Sequence, residues 1–292
     1  MRCTCRVLLS LLFCSVVLAG CSRATLVYRN LDVLVPWSLN DYLDLNRAQQ
    51  DRLRERIRTH LAWHCRSQLP DLLDDLQRLQ HDSSHRRLDG DQLQPYYRDI
   101  RQAIQAIAVE ITPTATELLR ALDDAQVREL AQALEADQRE HREQYLAPPL
   151  PQQIRERAER MGERLEHWLG PLDAAQRQRV LAWSHSLGEQ NARWLSNREQ
   201  WQRELLDTVR QRDQADFAAR IARLLQDREA LLGDADRAAL QHAERAALVL
   251  LADLHGMADA RQREHLVQRL QQMRQDLAGL ECLPASAAPA RA

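Results

Sequence analysis

The chain has 292 residues and a formal net charge of −2, with 45% hydrophobic but only 4% aromatic residues. That length suffices for one large or two small domains with a real core. The mild acidity argues against binding through a phosphate backbone, so we expect no nucleic-acid partner. Helix-forming Leu, Ala, Arg, Gln and Glu dominate, and strand-favouring runs are nearly absent. We therefore predict an all-α fold, a multi-helix bundle of amphipathic helices.

The N-terminus has the arrangement of a signal peptide. Arg2 and Arg6 precede an apolar stretch over residues 7–18, and small residues follow it. The stretch is about half as long as the roughly 20 residues that a membrane-spanning helix needs. Removal of residues 1–20 takes away both arginines and no acidic residue, so the net charge falls from −2 to −4.

The segment Leu18-Ala19-Gly20-Cys21 resembles the lipobox of bacterial lipoproteins. The resemblance implies cleavage before Cys21 and acylation of that cysteine, palmitate included. Several acyl chains on one residue give stable anchoring, so a membrane is the first expected partner. Ser22 follows the lipidated residue, which by resemblance to enterobacterial sorting implies the outer membrane, with the protein facing the periplasm.

The mature chain is predicted to be helical almost throughout. Residues 21–45 form a lipidated N-terminus and an apolar lead-in broken by Pro36, and residues 46–283 form the helical domain. A polar stretch over 81–91 is predicted to be a loop. The tail 284–292 is predicted to be disordered. After two helices that begin at Asn46 and Pro70, further helices are expected at 92–111, 114–122, 124–146, 152–169, 174–187, 189–211, 214–231, 235–254 and 258–280. A proline run near 147–152 either separates two lobes or turns one bundle.

A short pattern recurs along the chain, as in Leu45-Asn46-x-x-Gln49, Leu122-Asp123-x-x-Gln126 and Leu172-Asp173-x-x-Gln176. One interpretation is a capping box, in which Asn or Asp accepts from a helix-start N–H and Gln reaches back. The pattern also resembles the Leu-Thr-x-x-Gln motif of small periplasmic chaperones of the Spy type. The capping interpretation places each Gln in a first helical turn.

Two cysteines remain in the mature, unlipidated chain. Cys3, Cys5 and Cys14 leave with the signal peptide and Cys21 carries lipid, so Cys65 and Cys282 remain in an oxidising compartment. They are candidates for a disulfide that ties the two ends of the domain together. The alternative is that Cys65 is a small buried apolar residue and Cys282 belongs to a loose tail.

Two histidine pairs are the nearest approach to a metal site. His60 and His64, and separately His81 and His85, are four residues apart, which on a helix places two rings on one face. Since no third ligand is evident, we expect no metal and no cofactor. Motifs for a nucleophile, a phosphate loop or a dinucleotide are missing, so we assign no catalytic residue and expect no enzyme.

Two features suggest surfaces for partners. Trp194 and Trp201 are seven residues apart and share a helix face, so they either stack against a sugar or peptide partner or fill the core. The first long helix carries a group of arginines that either contacts anionic headgroups or forms a solvated face. These are Arg47, Arg52, Arg54, Arg56 and Arg58.

The chain resembles an uncharacterised family of proteobacterial lipoproteins. The residues that carry the resemblance are Tyr28-x-x-Leu31-Asp32, Trp37, Tyr42-x-Asp44-Leu45, Trp63-His64-x-Arg66-x-x-Leu69-Pro70, Trp168-Leu169-Gly170-Pro171-Leu172, Gln176 and Trp194-x-x-x-Arg198-x-x-Trp201. The resemblance implies helices and an envelope location, and it supplies no activity. We therefore expect a membrane-anchored lipoprotein with a helical interaction or scaffold domain and an envelope protein as partner. The alternative is a tethered, chaperone-like periplasmic binder of unfolded or partner proteins.

Overall fold

The computed structural model describes residues 27–280. Over this range the chain is all-α, as predicted, with eleven α-helices, one 3-10 helix and no strand. The helices are α1 (Leu31–Leu43), α2 (Arg47–Ser67), α3 (Leu69–His85), α4 (Gly90–Arg120), α5 (Asp124–Tyr145), α6 (Leu150–Leu169), α7 (Ala174–Ser186), α8 (Gln190–Arg210), α9 (Phe217–Gln226), the 3-10 helix Arg228–Leu231, α10 (Asp234–Met257) and α11 (Ala260–Ala278).

The prediction that Pro36 breaks the lead-in is wrong, because Pro36 lies inside α1. Proline removes one backbone hydrogen bond from a helix interior and costs about 3 kcal/mol there. Packing offsets that cost. Leu31, Val35, Leu39 and Tyr42 pack against a core shared with α2 and α5. Asp32 of α1 also forms an ion pair with Arg58 of α2, with 2.8 Å between Oδ2 and Nε.

The prediction of a loop over residues 81–91 is also wrong. α3 continues to His85 and α4 begins at Gly90, so the connection is only residues 86–89. The buried His255 of α10 holds this region from across the fold. Its Nδ1 accepts from the Leu88 N–H at 3.3 Å, and its Nε2 lies 3.2 Å from the Ser83 carbonyl oxygen. The polar composition of residues 81–91 predicted a loop, because the sequence gives no sign that His255 contacts this region from α10.

A single helix, α4, replaces the two that were predicted at 92–111 and 114–122. Pro113 lies within it. Next to the proline, the Thr112 hydroxyl donates to the Ala108 carbonyl at 2.6 Å and accepts from Gln226 Nε2 at 2.9 Å. Contacts of α4 with α2, α9 and α10 hold it continuous across the proline. The helix predicted at 214–231 ends instead at Gln226 and is followed by the 3-10 helix.

Two groups of helices have separate cores, and α8, which follows the proline run in sequence, belongs to the first. The first core contains Leu53 of α2, Val127 of α5 and Val209 of α8, and α1 packs on it. The second contains Leu165 of α6, Val180 of α7 and Leu254 of α10. Because α4 contacts both α2 and α10, and α3 contacts both α2 and α11, shared helices join the two groups.

The capping interpretation of the repeated pattern is confirmed. Asn46, Asp123 and Asp173 each cap a helix, and the glutamine three residues later completes a capping box. Two further boxes escaped the sequence analysis. Asp89 and Gln92 form the box at the start of α4, within the stretch that was predicted to be a loop. Asp259 and Gln262 form the box at the start of α11, where Ala258 takes the place of the leucine of the pattern.

Four of the capping glutamines form two pairs, one in each helix group. Gln49 and Gln126 exchange side-chain hydrogen bonds of 3.1 and 2.7 Å, which join the N-termini of α2 and α5. Gln176 and Gln262 exchange bonds of 2.8 and 2.9 Å and join α7 to α11 in the same way. Each pair thus holds the N-termini of two helices, distant in sequence, next to each other.

None of the helices between residues 27 and 280 combines the length and hydropathy needed to cross a bilayer.

Candidate binding cleft

A cleft of about 980 Å³ lies between α4, α8, the 3-10 helix and α10. Trp194 and Trp201, which the sequence analysis placed on one helix face, both line it from α8. Ile100 and Ile104 line it from α4, and they are 54% and 61% exposed. Apolar side chains left this open at a concave site are typical of binding surfaces rather than of a core.

Trp201 is the fixed element of the cleft. Its indole Nε1 donates to the Leu224 carbonyl at 2.9 Å, and its ring packs against the cluster around the buried Phe217. The guanidinium of Arg228 lies over the ring at 4.9 Å from its centroid, a cation–π contact. Trp201 therefore fills the core, which was one of the two alternatives, and it also lines the cleft; contact with a partner stays a prediction.

Trp194 is 43% exposed, so a partner can reach it. Its ring contacts His141 and Tyr145 of α5, each with a centroid distance of 5.6 Å. Arg198, one turn later on α8, lies 6.0 Å from the Trp194 ring centroid. The side chain is thus supported on one flank and open on the other, an arrangement that suits a stacking or apolar contact.

Asp137 of α5 holds the cleft-lining Arg198 in place. Its Oδ2 accepts from Arg198 Nη2 at 2.6 Å and from Gln202 Nε2 at 3.0 Å, and its Oδ1 accepts from the Tyr42 hydroxyl at 3.2 Å. Burial alone would raise the pKa of Asp137, but the hydrogen bonds from Arg198 and Gln202 and the positive charges of Arg198 and His141 lower it. One carboxylate therefore joins α1, α5 and α8 behind the cleft.

Arg228 is the cation of the cleft that lacks an acidic partner. Of the four arginines that line the cleft, Arg101 pairs with Glu229 and Glu244, Arg193 with Asp236, and Arg198 with Asp137. No carboxylate pairs with Arg228 in the described part of the chain. The residue is exposed to solvent overall, and partial loss of water around its guanidinium, followed by the charge of Arg198, lowers its pKa. An anionic group of a ligand would pair with this guanidinium.

Gln190, at the start of α8, adds an unused acceptor. It lines the cleft, and its Oε1 is shielded from water without a hydrogen-bond partner among residues 27–280. A shielded polar atom with no partner costs about 1–3 kcal/mol. A ligand N–H group would recover that cost only if the Gln190 side chain rotated to expose this oxygen to the cleft.

The paired histidines do not come together as ligands of one metal site, because each contacts different groups. His60 Nδ1 lies 3.0 Å from Glu110 Oε1 and its Nε2 lies 2.8 Å from the Thr114 hydroxyl, whereas His64 Nδ1 lies 3.1 Å from the Tyr28 hydroxyl. His81 and His85 stack on each other at the end of α3, with their ring centroids 4.2 Å apart. Between residues 27 and 280 no three His, Cys, Asp or Glu side chains are grouped as a metal site requires.

The five arginines of α2 that the sequence analysis singled out each have a carboxylate partner. Arg52 and Arg56 pair with Glu117 of α4, and Arg47 and Arg54 pair with Asp51. Arg58 pairs with Asp32, as described above. This pairing reduces the positive charge that α2 offers to anionic headgroups.

The remaining predicted site residues are the cysteines. Cys65 is disulfide-bonded and buried, and it packs with Leu69 and Leu280. Cys21 and Cys282 lie outside the described residues, so the lipidation and the pairing of Cys65 with Cys282 stay predictions.

Several cleft residues were missed by the sequence analysis. Ile100 and Ile104 are spaced as a core stripe would be, Asp137 lies in a helix rich in alternating charge, and Arg228 lies in a four-residue 3-10 helix. The usable signal was the isoleucine series at positions 100, 104, 107 and 111, four apolar residues on one face of a helix in which only Thr112 is buried.

Comparison with known proteins gives one match. The model of a family of unknown function (DUF6279) matches residues 41–237, more than half of the chain. The matched range includes Tyr42, Trp63, Arg198 and Trp201, which carry part of the resemblance noted in the sequence. No curated protein and no solved structure matches the chain significantly.

Proposed function

We propose that this chain, which belongs to the family of unknown function DUF6279, is a lipid-anchored bacterial envelope protein that binds a polypeptide segment in its cleft. The observation that carries the binding function is the convergence of Trp194 and Trp201 with Ile100 and Ile104 at one concave site. The lipobox-like sequence before Cys21 supports the anchor. Ser22 supports the outer membrane, with the helical domain facing the periplasm.

The anchor gives the first testable prediction. Replacing Cys21 with Ala should abolish incorporation of labelled palmitate in a bacterial host and leave the precursor uncleaved, because the acylated residue is gone. Cys14→Ala is the matched control, since that cysteine leaves with the signal peptide and its loss should leave labelling intact. Palmitate on the Cys21→Ala protein, or normal maturation of it, would contradict the anchor.

The unused groups of the cleft define the chemistry of the occupant. Apolar side chains from the occupant would cover the two tryptophans and the isoleucines. A carboxylate would pair with Arg228, and a backbone or side-chain N–H would satisfy Gln190 Oε1 once that side chain rotates towards the cleft. An amphipathic polypeptide segment with an acidic residue supplies all three groups in one chain, and helix-in-groove recognition is a common way to bind such a segment.

The second prediction tests this cleft with a photo-reactive amino acid. Placed at Ile104 in intact cells, it should cross-link a partner protein whose bound segment is identified by mass spectrometry. A synthetic peptide of that segment should bind the purified full-length protein. Ile104→Asp should weaken binding at least about thirtyfold, since a contact of hot-spot quality contributes 2 kcal/mol or more.

Val109→Asp is the matched control for this experiment. Val109 is 50% exposed on the same helix and lies outside the cleft lining, so the same change there should leave the cleft intact. Its peptide affinity should equal that of the unmodified protein. An equal loss of peptide affinity in Ile104→Asp and Val109→Asp would contradict the proposed site. It would also be contradicted by a partner segment that has no acidic residue and binds Arg228→Gln as tightly as the unmodified protein.

One observation favours a second candidate, a tethered chaperone-like binder. The isoleucines of α4 continue beyond the cleft, where Ile111 remains 37% exposed, so the apolar surface is longer than a single compact pocket. A chaperone would suppress aggregation of several unrelated unfolded proteins and bind them with similar affinity. A dedicated interaction protein would bind one segment with defined stoichiometry and leave aggregation of the others unchanged.

A further inference from the structure

The first helix presents a second apolar surface, separate from the cleft. Val33, Leu34 and Trp37 of α1 are exposed by 48%, 38% and 69%, and their spacing places them on one side of the helix. Trp37 is the most exposed of the large apolar side chains in the described range. Val27, just before α1, is 49% exposed as well. We call Val33, Leu34 and Trp37 the outer face of α1.

The outer face is rigidly held. The opposite side of α1 packs on the first core through Val35 and Leu39, and Pro36 is buried. The ion pair between Asp32 and Arg58 and the contact of the Tyr28 hydroxyl with His64 fix the helix to α2. The exposed apolar groups are therefore a feature of the folded surface rather than of a loose end.

The length of chain before α1 limits what can cover this face. Only residues 22–26 separate Cys21 from Val27, so the two Cα atoms are at most about 22 Å apart even when the chain is fully extended. If Cys21 carries lipid, as the proposed function states, Val27 lies within that distance of the bilayer surface, and the outer face of α1 begins six residues further along the chain. The bilayer is then the apolar phase that α1 meets at the highest effective concentration.

The side chains suit the membrane interface. Tryptophan is enriched at the level of the headgroups, because its ring is apolar while its indole N–H can bond to water or a headgroup. Valine and leucine beside it would enter the acyl boundary, as on helices that lie in the interface. Arg29, exposed and without a carboxylate partner in the described part of the chain, lies at the end of α1 nearest the tether.

We infer that the outer face of α1 docks on the lipid bilayer next to the acylated Cys21, so that the protein has a second, non-covalent membrane contact that orients the helical domain. This inference rests on the lipid anchor of the proposed function. It adds that the domain lies on the membrane through Val33, Leu34 and Trp37 instead of swinging freely on its tether.

The test uses the full-length, acylated protein reconstituted into phosphatidylethanolamine–phosphatidylglycerol vesicles that carry lipids with a quencher in the acyl chain. A fluorophore is attached at V33C, which leaves Trp37 in place. A second sample carries it at E135C, an exposed position on α5 with 78% side-chain exposure. Quenching at V33C should exceed that at E135C at least about threefold, and adding Trp37→Ser should lower it towards the control.

The outcomes separate the two proposals. Co-flotation of the protein with the vesicles and the mass of its lipidated N-terminus are measured on the same samples. Protein that does not float overturns the anchor and this inference with it. Protein that floats but shows equal quenching at both positions overturns the inference alone. Efficient cross-linking of V33C to V33C between copies in detergent, with no quenching in vesicles, would assign the face to a second copy instead.

Discussion

Replacing Asp137 with Ala should lower the free energy of unfolding by about 3 kcal/mol, because it removes the acceptor shared by three helices. Arg198 would keep its charge on a side chain only 29% exposed, with no carboxylate left to compensate it. Gln202 and the Tyr42 hydroxyl would each lose an acceptor as well. Urea unfolding followed by circular dichroism measures the change, and the slope of the transition should stay constant.

Glu135→Ala is the matched control. Glu135 lies on the same helix and pairs with Arg139 at 3.6 Å, but its side chain is 78% exposed, so the pair should contribute at most about 0.5 kcal/mol. If both variants lose the same small amount of stability, Asp137 does not organise α1, α5 and α8 as the geometry indicates.

The stability difference should also depend on pH. The folded state lowers the pKa of Asp137, so its carboxylate contributes fully above the unfolded-state value of about 3.9 and the contribution is lost as the pH falls through the folded value. Asn cannot ionise. The gap between the unmodified protein and Asp137→Asn should therefore be widest near neutral pH and narrow below about pH 4. A gap that stays constant down to pH 3 would show that packing rather than charge accounts for it.

The helical fold and most helix starts were predictable because they depend on local chemistry. Apolar spacing marks α2, with Leu53, Ile57 and Leu61 buried as its stripe requires. Asp123 and Asp173 mark where α5 and α7 begin, because a capping box involves only residues three apart.

The errors share a different cause. Pro36 was expected to break the lead-in, two helices were expected at 92–111 and 114–122, and residues 81–91 were expected to form a loop. In each case a contact with residues distant in sequence outweighs the local preference: α1 packs on α2 and α5, Gln226 bonds to Thr112, and His255 binds the connection after α3. Periodicity carries no information about such partners.

The candidate site was predictable only in part, for the same reason. The spacing of Trp194 and Trp201 does place them on one face, and the structure shows both in the cleft. The opposite wall comes from α4, about 90 residues earlier, and the cation without an acidic partner comes from the 3-10 helix. Arg228 could not be distinguished in the sequence from the many arginines that have partners, because lacking a carboxylate is a property of the folded surface.

Breaking the bond of Cys65 should have an effect as large as the loss of Asp137, and we predict that Cys282 is its partner. Cys65 packs beside Leu280, and Cys282 follows Leu280 by two residues, so the two Cα atoms of 280 and 282 are at most about 7 Å apart. Of the other cysteines, three leave with the predicted signal peptide and Cys21 takes the lipid. Peptide mapping without reductant should therefore find Cys65 linked to Cys282.

The bond would close a loop of more than 200 residues, so the chain-entropy model gives about 5 kcal/mol of stabilisation, and removal of native disulfides typically costs 2–5 kcal/mol. Cys282→Ala should lower the free energy of unfolding by that amount, and reduction of the unmodified protein should lower it equally. Cys65→Ala should cost slightly more, because it also removes a buried sulfur. Cys282→Ala with unchanged stability would contradict the pairing and leave Cys65 bonded to a different cysteine. Two free thiols in the oxidised, unfolded protein would contradict any disulfide at Cys65.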